Sequence, residues 1–166
     1  MEKAVVIYGS TTGNTKDAAV KIAEKLGISE LRSVDQVFAD ELASYDRLII
    51  GSSTWGYGEL QDGWEALSGK IGKLDLRGKK VALFGTGDQS GYSDTYVDAL
   101  GLLYDEFTEA KAEVIGEWPV EGYDFTESKA ARDGSFVGLA LDDDNQADKS
   151  DARICSWVEK IRPLLQ

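Results

Sequence analysis

Apolar residues fall into two patterns along this chain. Ala4 to Tyr8, Leu48 to Ile50 and Val81 to Phe84 are short, continuous runs without polar alternation. Runs of that kind mark strands buried on both faces of a parallel sheet. Each meets a glycine (Gly9, Gly51, Gly85), read here as its end, and passes into a loop rich in Ser, Thr, Gly and aromatic residues. Elsewhere the apolar residues recur at helical spacing. Ala18, Ala19, Ile22, Ala23 and Leu26 form one such set, and Tyr96, Val97, Leu100, Leu103, Tyr104 and Phe107 a second. Ile154, Trp157, Val158 and Ile161 mark a final helix that closes before Pro163. A weaker strand is expected from Glu30 to Val34, and a fifth from about Glu113 to Gly116.

Strands alternating with helices predict an open α/β sheet with helices on both faces. The stretch from Glu117 to Phe136, with Trp118, Pro119, Gly122, Tyr123, Phe125 and Gly134, breaks that alternation. It reads as an excursion before a strand from Phe136 to Leu141 completes the sheet. With 166 residues and no repeat or linker, the expectation is one domain over residues 1–166. In such folds ligands bind where loops leave the carboxyl ends of the strands.

Charge changes the picture more than size does. Eighteen Lys and Arg stand against thirty Asp and Glu, leaving −12 at pH 7. A field of that sign repels nucleic acid and anionic membranes and attracts basic protein surfaces. The chain holds no histidine and one cysteine, so triads and zinc sites have little to work with. Cys155 falls in the last helix and is expected to be a packing residue. The amino-terminal segment lacks a signal-peptide pattern, and no apolar stretch has the length of a membrane span. A cytoplasmic, reducing setting and a monomer are the corresponding expectations.

Three loops carry candidate chemistry. Gly9-Ser10-Thr11-Thr12-Gly13-Asn14-Thr15 lies between a buried strand and an amphipathic helix, so hydroxyls and backbone N–H groups gather at a helix N-terminus. It is neither a P-loop nor the GxGxxG fingerprint. The second, Ser53-Thr54-Trp55-Gly56-Tyr57-Gly58-Glu59-Leu60, sets a tryptophan beside glycines, which suits a flat ligand whose edge is approached by backbone amides. The third, Thr86-Gly87-Asp88-Gln89-Ser90-Gly91-Tyr92-Ser93-Asp94, supplies a second aromatic. Two aromatics beside a phosphate nest describe a slot for a flat heteroaromatic mononucleotide.

Taken in order and at these spacings, the loops resemble those of the flavodoxins. Gly9 to Thr15 looks like the family's phosphate loop, Thr54 to Leu60 its second flavin loop, and Gly85 to Gln89 with Gly91-Tyr92 its third. The Glu117 to Phe136 excursion is similar to the insertion in the last strand of long-chain members. Val137-Gly138-Leu139-Ala140-Leu141-Asp142, with Asp144-Asn145-Gln146, also fits that type. The resemblance implies a five-stranded parallel sheet of order 2-1-3-4-5 and non-covalent FMN. It places the phosphate on Ser10, Thr11, Thr12, Gly13, Asn14 and Thr15, and puts Trp55 and Tyr92 on the two faces of the isoalloxazine. Backbone of Thr54, Trp55, Gly56, Tyr57 and Gly58, and of Thr86, Gly87 and Asp88, is implied at the ring edge. Asp144 is implied at the ribityl chain, with Asp98 near it. Two departures stand out: Asn14 takes the place of a frequent Lys, and Thr95 that of a frequent Asn.

The same resemblance implies a low-potential one-electron carrier rather than an enzyme, with a neutral semiquinone stabilised when the Gly56-Tyr57 peptide turns its carbonyl to flavin N5–H. The implied partners are a ferredoxin/flavodoxin–NADP reductase, photosystem I, nitrogenase reductase or pyruvate oxidoreductase, all met through basic docking surfaces. Glu59, Asp62, Glu65, Asp88, Asp94, Asp98, Asp142, Asp143 and Asp144 are expected along the loop edge of the sheet, where their charge would depress the potential. A flavin-dependent quinone reductase on the same fold is the alternative. A phospho-receiver domain is not, because Gly9-Ser10 and Gly51-Ser52 stand where its acidic residues belong.

Overall fold

In the computed structural model, residues 3–10, 13–55 and 58–165 are described, without the side chain of Trp55. Each continuous apolar run is a strand covered on both faces. β1 (Ala4–Gly9), β2 (Leu31–Ser33) and β3 (Arg47–Trp55) are followed by a short β4 (Glu59–Leu60), which folds back antiparallel on the end of β3, and then by β5 (Lys80–Thr86). The parallel order is β2-β1-β3-β5. Val5, Ile7, Leu48, Ile50, Val81 and Leu83 feed one core layer, while Val6, Ile49, Ala82 and Phe84 feed the other, all fully buried. Burial of both sets is why the runs show no polar alternation.

The helices divide between those layers. α1 (Asn14–Leu26) buries Ala18, Ala19, Ile22 and Ala23 on the Val6 side. The short α2 (Asp62–Glu65) and the longer α3 (Asp98–Glu109) cover the other side through Trp64, Leu100, Leu103 and Phe107. α4 (Ala147–Ile161) returns to the α1 side with Ile154, Trp157, Val158 and Ile161.

The position beyond β5 is shared by two short parallel strands. β6 (Glu113–Ile115) pairs with Lys80–Ala82. The chain then leaves through a small antiparallel sheet of β7 (Trp118–Pro119), β8 (Ala131–Arg132) and β9 (Ser135–Phe136). It comes back as β10 (Leu139–Leu141), which pairs with Phe84–Thr86. The fifth strand is therefore interrupted by the insertion, as expected. Rings of Tyr96, Tyr123, Phe125 and Phe136, with centroids 5.0–6.0 Å apart, pack the insertion onto the segment that leads into α3.

Several expectations need correction. Gly51 and Gly85 lie inside their strands rather than at the ends: a Cβ at Gly51 would overlap the Phe84 ring, and one at Gly85 would come 3.0 Å from the Ser52 carbonyl. Glycine there records close packing, not termination. Phe136 belongs to β9 and not to the strand that completes the main sheet, because it faces the aromatic cluster. Tyr96 and Val97 precede α3; Val97 takes φ 46° as its N-cap, an unusual left-handed conformation for a β-branched residue. Cys155 is exposed on α4 rather than buried in the core.

Candidate cofactor site

The loops after β1, β3, β5 and β10 all emerge at the carboxyl edge of the parallel sheet. In the first, Gly13 sits at φ 103° as the N-cap of α1, and no side chain among the described residues caps the helix. A Cβ built at Gly13 would meet no atom of the described residues within 4 Å, its chain neighbours aside. The Gly13 N–H donates to Ser10 Oγ at 3.0 Å. Thr15, buried, shares a hydrogen bond of 2.8 Å with Thr86 at the end of β5, so the first and third loops are joined directly. A helix start with no side-chain cap among the described residues fits an anionic group.

The Thr54 side chain serves the fold. Its Oγ1 accepts the Ala99 N–H at 3.1 Å. Val97 has no polar side chain with which to cap α3, and Thr54 supplies that cap from the end of β3. Gly58 adopts φ 88°, and a Cβ there would stand 2.5 Å from Asp98 Oδ2. The second loop thus lies directly on Asp98.

Asp98 is 2% exposed, and its Oδ1 accepts the Lys129 N–H of the insertion at 2.7 Å. Burial raises its carboxyl above the usual carboxylate range, against the opposing effects of that N–H and of the Lys129 charge, with Glu127 adding to the rise. The unfolded chain keeps the ordinary lower value. Between the two values the folded chain holds a proton that the unfolded chain has lost, so this group's contribution to stability falls as pH rises from about 4. Asp98→Asn keeps an acceptor for Lys129, so it is expected to hold or raise stability at pH 7 and to flatten the slope above pH 4. Urea midpoints from pH 4 to 7 that change in parallel for wild type and variant would defeat that expectation.

The third loop is tied on both sides. Asp88 Oδ1 accepts N–H bonds from Ser90 (3.0 Å) and Gly91 (2.8 Å) and the Asn145 amide (2.8 Å). The Gly91 N–H, first, and Asn145 hold its carboxyl below the usual range. Backbone N–H groups of Thr126 and Glu127 reach the Ser93 carbonyl at 2.8 and 3.0 Å, and Asp124 N–H reaches Gln89 Oε1 at 2.6 Å. Tyr92, 52% exposed, stands at the crest of a loop that is otherwise pinned. Asp144 is exposed in the loop after β10; desolvation, then the charges of Asp88, Asp142 and Asp143, raise its carboxyl.

Of the residues singled out from sequence, Ser10, Gly13, Asn14, Thr15, Thr54, Gly58, Thr86, Gly87, Asp88, Tyr92 and Asp144 are gathered at this edge. Thr11, Thr12, Gly56, Tyr57 and the Trp55 side chain lie outside the described residues. Asp98 is buried against Gly58. Asp142, counted with the rim charges, is in fact fully buried and accepts four N–H bonds. Sequence reasoning missed Asp142, Gln89 and Asn145 as structural partners. Their one signal is position, since Asp142 follows immediately after a fully apolar strand.

Fold and loops define an open, doubly wound α/β protein with its loops collected at the carboxyl ends of the strands. The chain belongs to the flavodoxin family, whose sequence profile matches residues 6–157. It is 43% identical to a flavodoxin of Synechocystis over 169 aligned positions, covering 100% of this chain and 99% of that one. Flavodoxin 2 of Escherichia coli strain K12 is 46% identical over 161 positions, 94% of this chain and 92% of its own. The fold superposes on Fusobacterium nucleatum flavodoxin bound to flavin mononucleotide with a TM-score of 0.93, at 26% identity and covering 100% of each chain. Flavodoxins are electron-transfer proteins rather than enzymes, and the quinone-reductase alternative falls with that membership. No helix among the described residues is long and apolar enough to cross a membrane.

Proposed function

We propose that residues 1–166 act as one FMN-binding domain of the long-chain type that carries electrons singly between redox proteins. The observation that carries this reading is the α1 start: Gly13 at φ 103°, with no side-chain cap among the described residues, beside the Thr15–Thr86 pair. FMN supplies the redox chemistry, and the protein's part is to hold and tune it. Ser10, Thr11, Thr12, Gly13, Asn14 and Thr15 hold the phosphate through N–H and hydroxyl groups. Trp55 and Tyr92 flank the ring, and backbone of residues 54–58 and 86–88 binds its edge. Asp144 reaches the ribityl chain. The couple in use is the one between neutral semiquinone and hydroquinone.

Charge is unevenly placed. Strands β1, β3 and β5 begin at or just after Lys3, Arg47 and Lys80, whereas the exposed carboxylates of Glu59, Asp62, Glu65, Asp94 and Asp144 lie at the loop edge. That polarity would turn the flavin edge towards a basic partner such as a ferredoxin/flavodoxin–NADP reductase, photosystem I, nitrogenase reductase or pyruvate oxidoreductase. Stopped-flow reduction by a basic donor protein is expected to slow about tenfold or more as ionic strength rises from 0.01 to 0.1 M and the screening length falls from ~30 to ~10 Å. A rate that holds steady or rises with salt would remove the electrostatic docking.

A further inference from the structure

We propose that Asp142 is the positioning residue of the cofactor site, a buried carboxylate that fixes the third loop and the Asp144 loop to one another. The inference rests on the FMN reading of this edge. Asp142 follows β10 directly and is 0% exposed, so it does not reach the surface on which a ligand would lie. Its Oδ1 accepts the backbone N–H groups of Asp144 (3.2 Å) and Asn145 (3.0 Å). Its Oδ2 accepts the Gln89 N–H (3.0 Å) and the Asn145 side-chain amide (2.8 Å). One carboxylate therefore grips two loops that lie 53 residues apart in sequence.

The strand register sets this up. Leu141 lies opposite Thr86, and the Gly87 N–H continues the ladder to the Leu141 carbonyl at 3.0 Å. β5 and β10 thus run out side by side, and the residue after Leu141 faces Gly87, Asp88 and Gln89. Asn145 extends the grip: the same amide that donates to Asp142 also donates to Asp88 Oδ1 at 2.8 Å. Gln89, 3% exposed, passes the constraint to the insertion through the Asp124 N–H. The chain 142–145–88 and the chain 142–89–124 both start at Asp142.

Only a carboxylate meets these demands. Four N–H groups converge on two oxygens, using all the acceptor capacity that faces them. An asparagine would turn an NH2 group towards two N–H donors, forfeiting two charge-assisted hydrogen bonds. Segments 86–88 and 144, which the FMN reading places at the ring edge and the ribityl chain, would then lose their mutual spacing. Because its charge is spent on internal N–H groups, Asp142 acts through these loops and not as a rim charge.

The test compares wild type, Asp142→Asn and Asn145→Ala with Phe107→Leu, which loosens the core of α3 away from the loops. FMN dissociation constants, the visible spectrum of the bound flavin, urea midpoints and amide exchange of Gln89 in the FMN-free protein are measured for each. Asp142→Asn is expected to raise the dissociation constant about 10–100-fold and Asn145→Ala about 5–10-fold, for the loss of two hydrogen bonds and of weaker ones. In both, the flavin bands should shift towards those of free FMN, and the Gln89 amide should exchange faster in Asp142→Asn. Phe107→Leu should lower the urea midpoint while leaving affinity and spectrum within twofold of wild type. Wild-type affinity and spectrum in Asp142→Asn and Asn145→Ala would overturn the proposal. If Asp142→Asn does not fold, Asn145→Ala decides it, since that side chain is exposed. A wild-type chain that takes up no FMN would overturn the site reading and this proposal together.

Discussion

Trp64→Ala is expected to cost about 3–5 kcal/mol of folding stability and to loosen the phosphate loop at the same time. Trp64 is fully buried in α2, wedged against the end of β1 and the middle of β3. Its Nε1–H donates to the Gly51 carbonyl at 2.8 Å, and its Cδ1 lies so near Gly9 that a Cβ there would stand 2.7 Å from it. Removing the indole opens a cavity, takes one donor from the Gly51 carbonyl and removes the side chain packed against Gly9. Trp64→Phe separates these effects: it keeps most of the volume and loses the hydrogen bond, for about 1–2 kcal/mol. Urea unfolding with and without FMN checks both variants. A loss below about 1 kcal/mol for Trp64→Ala would show that the indole does not support the sheet edge.

The second large effect is expected at Gly58. Its φ of 88° costs an L residue about 1–2 kcal/mol, and a Cβ there must also displace the buried Asp98 carboxylate, 2.5 Å away. Gly58→Ala should therefore shift the second loop and weaken FMN binding about 10–100-fold, with a smaller loss of stability. Pairing it with Asp98→Ala removes the carboxylate while the residue-98 Cβ stays 2.9 Å away, and should recover part of the affinity. If Gly58→Ala binds FMN as wild type does, the second loop is not held by its contact with Asp98.

How much of this was legible in the sequence depended on whether local pattern or long-range pairing set each feature. Strands β1, β3 and β5 were readable because both of their faces are buried, leaving an unbroken apolar run. Their ends were not, since Gly51 and Gly85 mark close packing against Phe84 and Leu100 that only the tertiary structure reveals. The interruption of the last strand could be seen at Glu117. That Phe136 joins the small sheet instead depends on the rings of Tyr96, Tyr123 and Phe125, distant in sequence.

The site divides in the same way. Gly13 and Gly58 were visible because glycine in a loop beside a helix or strand end signals a backbone need. The role of the Thr54 hydroxyl left no local signal, since it compensates for a valine more than forty residues away. Asp98 and Asp142 looked like the other rim carboxylates. Burial separates them, and burial of a single polar residue leaves no periodic trace.

The most direct test of the central claim is a spectroelectrochemical titration of the purified chain reconstituted with FMN. The expected result is one FMN per chain, reduced in two well-separated one-electron steps, the lower of which moves to higher potential as salt screens the carboxylates at the loop edge. A chain that binds no FMN, or that passes through a single two-electron step, would contradict it.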